Sequence, residues 1–113
     1  MDIKERVVGG VSILDLSGKI VLGEGDVQLK ERIKDLLSDG QRRILLNLAE
    51  VNYIDSAGLG TLIGSYTTAK RDGGSLKLVN LTKRIQDLLA ITKLITVFET
   101  FDSEAEALAS FNS

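Results

Sequence analysis

An aspartate and a serine interrupt the apolar pattern in the middle of this chain. Asp55 and Ser56 follow a strand-like apolar run, and the chain then continues as "AGLGTLIG", in which glycines are spaced among apolar residues. A serine at the tip of a strand-to-helix turn can be a nucleophile, part of a phosphate-binding loop, a helix cap or a site of modification. These four chemistries imply different proteins, and the rest of the sequence discriminates among them.

The composition leaves little catalytic chemistry open to Ser56. The chain contains no cysteine and no histidine, which excludes Ser-His and Cys-His catalysis, disulfides and the zinc sites built from these residues. Hydrolases of the α/β type place their serine in G-x-S-x-G, but Ile54 stands at the first glycine position here and no S-x-x-K follows. Ser56 therefore has no evident base to activate it, and we expect no catalytic residue and no enzymatic activity.

Neither a cofactor site nor a metal site is indicated. Gly58, Gly60 and Gly64 superficially resemble a dinucleotide fingerprint, but the last two fall on the expected helix, where close packing against a neighbour is the preferred interpretation. A small nucleotide-binding protein is the least favoured alternative. The carboxylates that could bind a metal lie scattered in loops and lack the spacing of a calcium loop: Glu24, Asp26 and Asp55.

Length and charge place further limits on the function. The chain has 113 residues, which is one ordinary domain spanning residues 1–113, and it carries 14 basic against 16 acidic side chains. That balance argues against direct nucleic-acid binding, which needs a basic face. The first residues lack the pattern of a signal peptide, and no apolar run approaches the roughly 20 residues that cross a bilayer. We expect a cytoplasmic protein with no membrane partner.

The periodicity of the sequence predicts the elements that position Asp55 and Ser56. Residues 3–8 and 11–17 predict a hairpin around Gly9-Gly10. There follow a helix over 26–39, a buried central strand over 43–48, a helix to about residue 71, a strand over 75–80, a helix marked by apolar residues between 81 and 89, and a strand over 95–98. Ser103 and Glu106 form a capping box for a last helix, with three residues facing inward: Ala105, Leu108 and Ala109.

The element order ββαβαβαβα predicts an α/β fold. Strands that alternate with helices imply parallel pairs joined by right-handed crossovers, and the hairpin adds an antiparallel strand. We therefore expect a mixed, mostly parallel sheet of about five strands with an N-terminal hairpin and about four helices. The functional loops of such a sheet cluster at the carboxyl ends of its strands. Asp55 and Ser56 lie on one of these loops.

Helix capping explains only part of this pair. A capping side chain accepts a hydrogen bond from the first turn and contributes about 1 kcal/mol. The first turn here is "AGLG", however, and each glycine inside a helix lowers helix stability by up to about 1 kcal/mol relative to alanine. We infer that a slim helix start beside an exposed hydroxyl serves another purpose.

The stretch "YIDSAGLGTLIGSYTTAKRDGGSLKL" resembles the anti-sigma factor antagonists, the bacterial single-domain members of the STAS group. The resemblance covers nearly the whole chain and includes the turn at residues 18–20, the block "ILLNLAEVNYIDSAGLG" and the ending "LLAITKL". The chain departs from the pattern after that turn, where many relatives carry an acidic residue and this sequence has Val21-Leu22 followed by "GEGD". We interpret this loop as a further partner contact.

The resemblance implies a partner switch. In this family the unmodified antagonist binds an anti-sigma factor, which is a serine kinase, and so frees a sigma factor for transcription. The kinase uses ATP to phosphorylate the serine after the motif's aspartate, here Ser56, which blocks binding, and a PP2C-type phosphatase reverses the reaction. Candidate partner contacts are Asp55, Ala57, Gly58 and Leu59, although Leu59 could equally point into the core. A different class stays open: a non-switching STAS scaffold that assembles with itself or within a larger complex.

Overall fold

The computed structural model describes residues 1–112, and in them one five-stranded sheet has helices on both faces. The elements are β1 (Asp2–Val8), β2 (Val11–Ile20), α1 (Gly25–Ser38), β3 (Arg43–Ile54), α2 (Ser56–Arg71), β4 (Ser75–Val79), α3 (Lys83–Ile91), a 3-10 helix (Leu94–Thr96), β5 (Thr100–Phe101) and α4 (Glu104–Phe111). The strands lie in the order β1-β2-β3-β4-β5; the first pair is antiparallel and the others are parallel. The predicted α/β class and its mixed, mostly parallel sheet are confirmed.

The N-terminal hairpin turns at a glycine pair. Gly9 and Gly10 have φ values of +56° and +80°, a left-handed conformation that glycine adopts without the steric cost of a side chain. The two strands pair in register from Asp2 opposite Ser17 to Val8 opposite Val11. The hairpin was therefore correctly predicted, although β2 continues three residues beyond the predicted end at residue 17.

Strand β3 is the centre of the sheet, as its apolar run predicts. Ile44 and Leu46 belong to the larger apolar cluster, which also contains buried residues of α1, α2 and α3, whereas Leu45 belongs to a smaller cluster with residues of α4. Both faces of the strand are thus covered. Strand β3 ends at Ile54, so that Asp55 follows it directly.

The predicted strand over residues 95–98 is wrong. Residues 94–96 form a 3-10 helix, which follows the left-handed Lys93, and the last strand is Thr100–Phe101. Phe98 is buried on the core beside α2, where its ring meets the Tyr66 ring edge-on with centroids 5.3 Å apart, whereas Ile95 is half-buried and Val97 is exposed. A short apolar run does not by itself specify a strand.

Helix α4 begins at the predicted cap but does not turn the predicted face inward. The Ser103 hydroxyl accepts a hydrogen bond from the Glu106 N–H at 3.2 Å, which confirms the N-terminus. Ala107 and Phe111 are buried, Leu108 is half-buried, and the predicted inward residues Ala105 and Ala109 are exposed. The large Phe111 ring sets the orientation of the helix, because it buries more apolar area than either alanine. No helix within residues 1–112 is long and apolar enough to cross a membrane.

Candidate functional site

Ser56 is the first residue of α2 and follows the end of β3 by two positions. Its side chain is exposed at the carboxyl end of the parallel strands, where the sequence placed it. The hydroxyl makes no hydrogen bond with any residue between 1 and 112. The serine oxygen is therefore accessible and unengaged, at the end of the helix where backbone N–H groups have no intrahelical partners.

The Asp55 carboxylate holds two segments together. One oxygen, Oδ1, accepts a hydrogen bond from the Gly58 N–H at 2.8 Å and so caps α2. The other, Oδ2, accepts from the Leu22 N–H at 3.0 Å, in the loop between β2 and α1. The predicted capping role is confirmed for Asp55, and the structure adds a bond to a residue 33 positions away. This second bond fixes the loop beside Ser56.

These bonds also change the acidity of Asp55. The carboxylate accepts hydrogen bonds from the Gly58 N–H, which has the larger effect, and from the Leu22 N–H. Both bonds favour the charged form, so they hold the pKa of this carboxyl below its ordinary value. The site therefore carries a negative charge next to Ser56 at neutral pH. The sequence shows the Asp55 carboxylate, but only the structure shows which N–H groups donate hydrogen bonds to it.

Substitution of Asp55 by asparagine is expected to destabilise the fold in a pH-dependent way. The amide can still accept from Gly58, but its NH₂ group would face the Leu22 N–H, and the bond to the loop is lost. Because the folded-state pKa lies below the unfolded value, the charge-linked stabilisation is complete above the ordinary pKa near 3.9 and disappears as pH falls through the folded-state pKa. Urea unfolding of wild type and Asp55→Asn at a series of acid pH values gives the two free energies of unfolding. The difference between them should shrink as pH falls.

Asp72→Asn provides the matched control for this prediction. Asp72 lies at the opposite end of α2, where a negative charge meets the negative end of the helix dipole, so its removal should leave stability equal or slightly higher. A constant stability difference between wild type and Asp55→Asn at every pH would contradict the role of the charged carboxylate.

Both helices at this site begin against the end of β2. A Cβ added at Gly58 would lie 2.1 Å from the Ile20 carbonyl oxygen, and one added at Gly25 would lie 2.3 Å from the Lys19 carbonyl oxygen. The Asp55 N–H donates to the same Ile20 oxygen at 3.3 Å. The absence of a side chain at Gly25 and Gly58 lets α1 and α2 approach the β2 backbone. Ser56 and the loop around Leu22 consequently lie side by side.

The close-packing interpretation of Gly60 and Gly64 is wrong. A Cβ added at either position would meet nothing within 4 Å, and both residues are exposed. The glycine that packs tightly is Gly58, which the sequence grouped with them by spacing alone. Gly60 and Gly64 instead line an open groove between α1 and α2. A glycine pattern on one helix face does not show whether that face is covered.

The predicted partner contacts differ in how much surface they offer. Asp55 and Ala57 are half-buried and border Ser56, whereas Gly58 is buried against β2. Leu59 is half-buried and packs against the core, which favours the alternative that it points inward. Leu22, which belongs to the loop that the sequence analysis interpreted as a further partner contact, is 76% exposed beside Asp55. The sequence signal for Leu22 was the apolar pair Val21-Leu22 in a glycine-rich loop outside the predicted helices and strands.

Fold and site together define a small α/β domain that presents an exposed serine at a helix start, next to an exposed apolar loop residue. The model of the STAS domain family matches residues 2–107, and the chain belongs to this family. It is similar to the anti-sigma-B factor antagonist of Bacillus subtilis (strain 168), with 37% identity over 83 residues that make up 70% of this chain and 75% of that protein. The resemblance predicted from the sequence is confirmed.

Solved structures share the fold. An anti-sigma factor antagonist from Mycobacterium paratuberculosis matches with a TM-score of 0.87 and 20% identity, covering 99% of this chain and 94% of that one. The anti-sigma factor antagonist SpoIIAA of Bacillus matches in its unphosphorylated form with a TM-score of 0.75 at 17% identity, and in its phosphorylated form with 0.76 at 18% identity. The unphosphorylated match covers 99% of each chain, and the phosphorylated one covers 97% of this chain and 99% of SpoIIAA.

Proposed function

We propose that this chain is an anti-sigma factor antagonist that works as a partner switch. Its unphosphorylated form binds a serine-kinase anti-sigma factor and frees a sigma factor, and phosphorylation of Ser56 blocks that binding. The observation that carries the proposal is the exposed, unengaged Ser56 hydroxyl at the start of α2, held next to the Asp55 carboxylate. The names of the curated relatives support the antagonist class.

The position of Ser56 suits a group that must change charge without unfolding the domain. A phosphoryl group adds about −1.5 to −2 charges and three strong acceptor oxygens. At the N-terminus of α2 it meets the positive end of the helix dipole and the N–H groups of the first turn. SpoIIAA, whose two forms both have folds similar to this chain, supports the view that a STAS domain tolerates a phosphate.

The surface around Ser56 suits recognition by another protein. Asp55, Ala57 and Leu22 offer a carboxylate, a small methyl group and an exposed aliphatic chain within one short stretch of surface. We propose these three residues as partner contacts, and we assign Gly58 and Leu59 the task of positioning them, because both pack inward. The exposed Leu22 side chain offers apolar area whose burial against a partner would be favourable.

The proposed switch requires two further proteins and no catalysis by the chain itself. The anti-sigma factor is itself the kinase and uses ATP to phosphorylate Ser56, and a PP2C-type phosphatase removes the phosphate. The absence of cysteine and histidine from the sequence agrees with a binding role. Because the sigma factor acts on transcription, we place the switch in the cytoplasm.

Direct phosphorylation tests the proposal. Each anti-sigma-type serine kinase encoded in the source genome is purified and mixed with the wild-type chain, first with ADP to measure complex formation and then with ATP. We expect one kinase to bind and to add a single phosphoryl group, and we expect Ser56→Ala to bind the same kinase but to remain unmodified. Mass spectrometry locates the modified residue. A phosphate on another residue would overturn the site, and large oligomers without any kinase complex would favour the scaffold alternative.

A further inference from the structure

A groove of about 540 Å³ runs between α1 and α2 and begins beside Ser56. The wall formed by α2 consists of small residues at helical spacing, from Ala57 through Gly60 and Gly64 to Thr68. This stretch of eleven residue steps is about 16 Å long, or three helical turns. Since a Cβ at Gly60 or Gly64 would meet nothing within 4 Å, the α2 backbone itself is open to close approach.

Ser65 provides a polar group inside this groove. The residue as a whole is only 6% exposed, and its hydroxyl makes no hydrogen bond with any residue of the described part of the chain. The oxygen itself is not sealed from solvent, so water reaches it through the open groove. An occupant of the groove can replace that water with a hydrogen-bonding group of its own.

The charge along the groove is positive. Lys30 and Lys34 of α1 lie on its edge, four residues apart and about 6 Å from each other along the helix surface, and no acidic side chain lines it. Two acidic residues of the same helix, Glu31 and Asp35, lie on its other side, where they line a depression together with the start of the chain, and the third, Asp26, is buried in the first turn. The groove therefore attracts carboxylates, and its two cations match acidic residues spaced at i and i+4 on a facing helix.

We propose that this groove binds an acidic amphipathic helix of the anti-sigma factor, which places carboxylates opposite Lys30 and Lys34 and packs its backbone against Gly60 and Gly64. The inference rests on the proposed function and names the chemistry of its partner. It also gives the switch an electrostatic basis. A phosphate on Ser56, next to Ala57 at the start of the groove, would repel the carboxylates of the bound helix and compete for the lysines.

Two changes in the groove test the proposal against the purified kinase that binds wild type in the screen. The double variant Lys30→Glu/Lys34→Glu should lower affinity at least about 30-fold, because it sets like charges against each other. Gly64→Leu should lower affinity about tenfold or more by filling the groove, and the open space at this position lets the fold accept it. Wild-type binding should also weaken with rising salt.

Matched controls separate these effects from damage to the fold. Arg42→Glu/Arg43→Glu makes the same charge change at the start of β3, at the opposite end of the parallel strands from Ser56, and Ala90→Leu adds the same side chain to an exposed position of α3; both should bind like wild type. Thermal unfolding confirms that each variant is folded. Calorimetric titration against the kinase provides the affinities.

The outcomes distinguish the two proposals. If wild type binds no kinase, the proposed function fails and this inference fails with it. If wild type binds and the groove variants bind equally well, only the inference is overturned. If the groove variants instead lose self-association on gel filtration, or lose a thermal shift produced by oleate, while kinase affinity stays unchanged, the groove has another occupant and the inference is wrong.

Discussion

Phosphorylation of Ser56 is expected to weaken binding to the anti-sigma factor by at least about 30-fold without unfolding the domain. The new group places about −1.5 to −2 charges beside the Asp55 carboxylate, on a surface that otherwise presents a hydroxyl and the aliphatic Leu22. Burial of that charge against a partner without a counter-charge costs at least about 2 kcal/mol. In the free chain, by contrast, the N-terminus of α2 stabilises the anion.

Calorimetric titration of the phosphorylated and the unphosphorylated chain against the same kinase gives the two affinities and so their ratio. Thermal unfolding checks that both forms are folded. Ser56→Glu carries less charge and should show a smaller loss of affinity, while Ser56→Ala is the uncharged control and should keep the affinity of wild type. Equal binding by the two forms would contradict the switch. Unfolding of the phosphorylated chain would contradict the stabilising role of the helix N-terminus.

Substitution of Gly58 by alanine is expected to lower the free energy of unfolding by about 3 kcal/mol. The added methyl group would lie 2.1 Å from the Ile20 carbonyl oxygen and 2.9 Å from the Ile54 Cγ2 atom. The first contact is with the backbone at the end of β2, where Ile20 is paired with Ile54 of β3, and this backbone cannot move aside as a flexible side chain can. Helix α2 would have to shift away from β2, and the Asp55 bonds would be strained with it.

Gly60→Ala is the matched control, two residues along the same helix. Its Cβ would meet nothing within 4 Å, so the helix should gain up to about 1 kcal/mol from the better intrinsic propensity of alanine. Chemical denaturation of both variants measures the two free energies. Equal stability of Gly58→Ala and wild type would show that the contact with Ile20 does not hold α2 in place.

The sequence predicted those elements whose apolar pattern is long and whose ends carry their own signals. Hairpin β1–β2 has its glycine turn, α1 has a stripe of three buried residues at Leu29, Ile33 and Leu36, and α4 has the Ser103 cap. The last strand was misplaced because a four-residue segment with three apolar residues is too short to show a period. The inward face of α4 was misassigned because alanine is accommodated on either face, so that Phe111 decided the orientation.

By itself, the sequence determined the fold class and the place of Ser56, since a strand, a cap and a helix start are local features encoded by neighbouring residues. It also determined that Ser56 has no histidine or cysteine to activate it. Only the tertiary structure decided what surrounds this serine. The bond from Leu22 to Asp55, the contact of Gly58 with Ile20 and the groove along Gly60 and Gly64 all join segments far apart in the chain. Such contacts depend on how closely two helices approach one strand end, which no local pattern encodes.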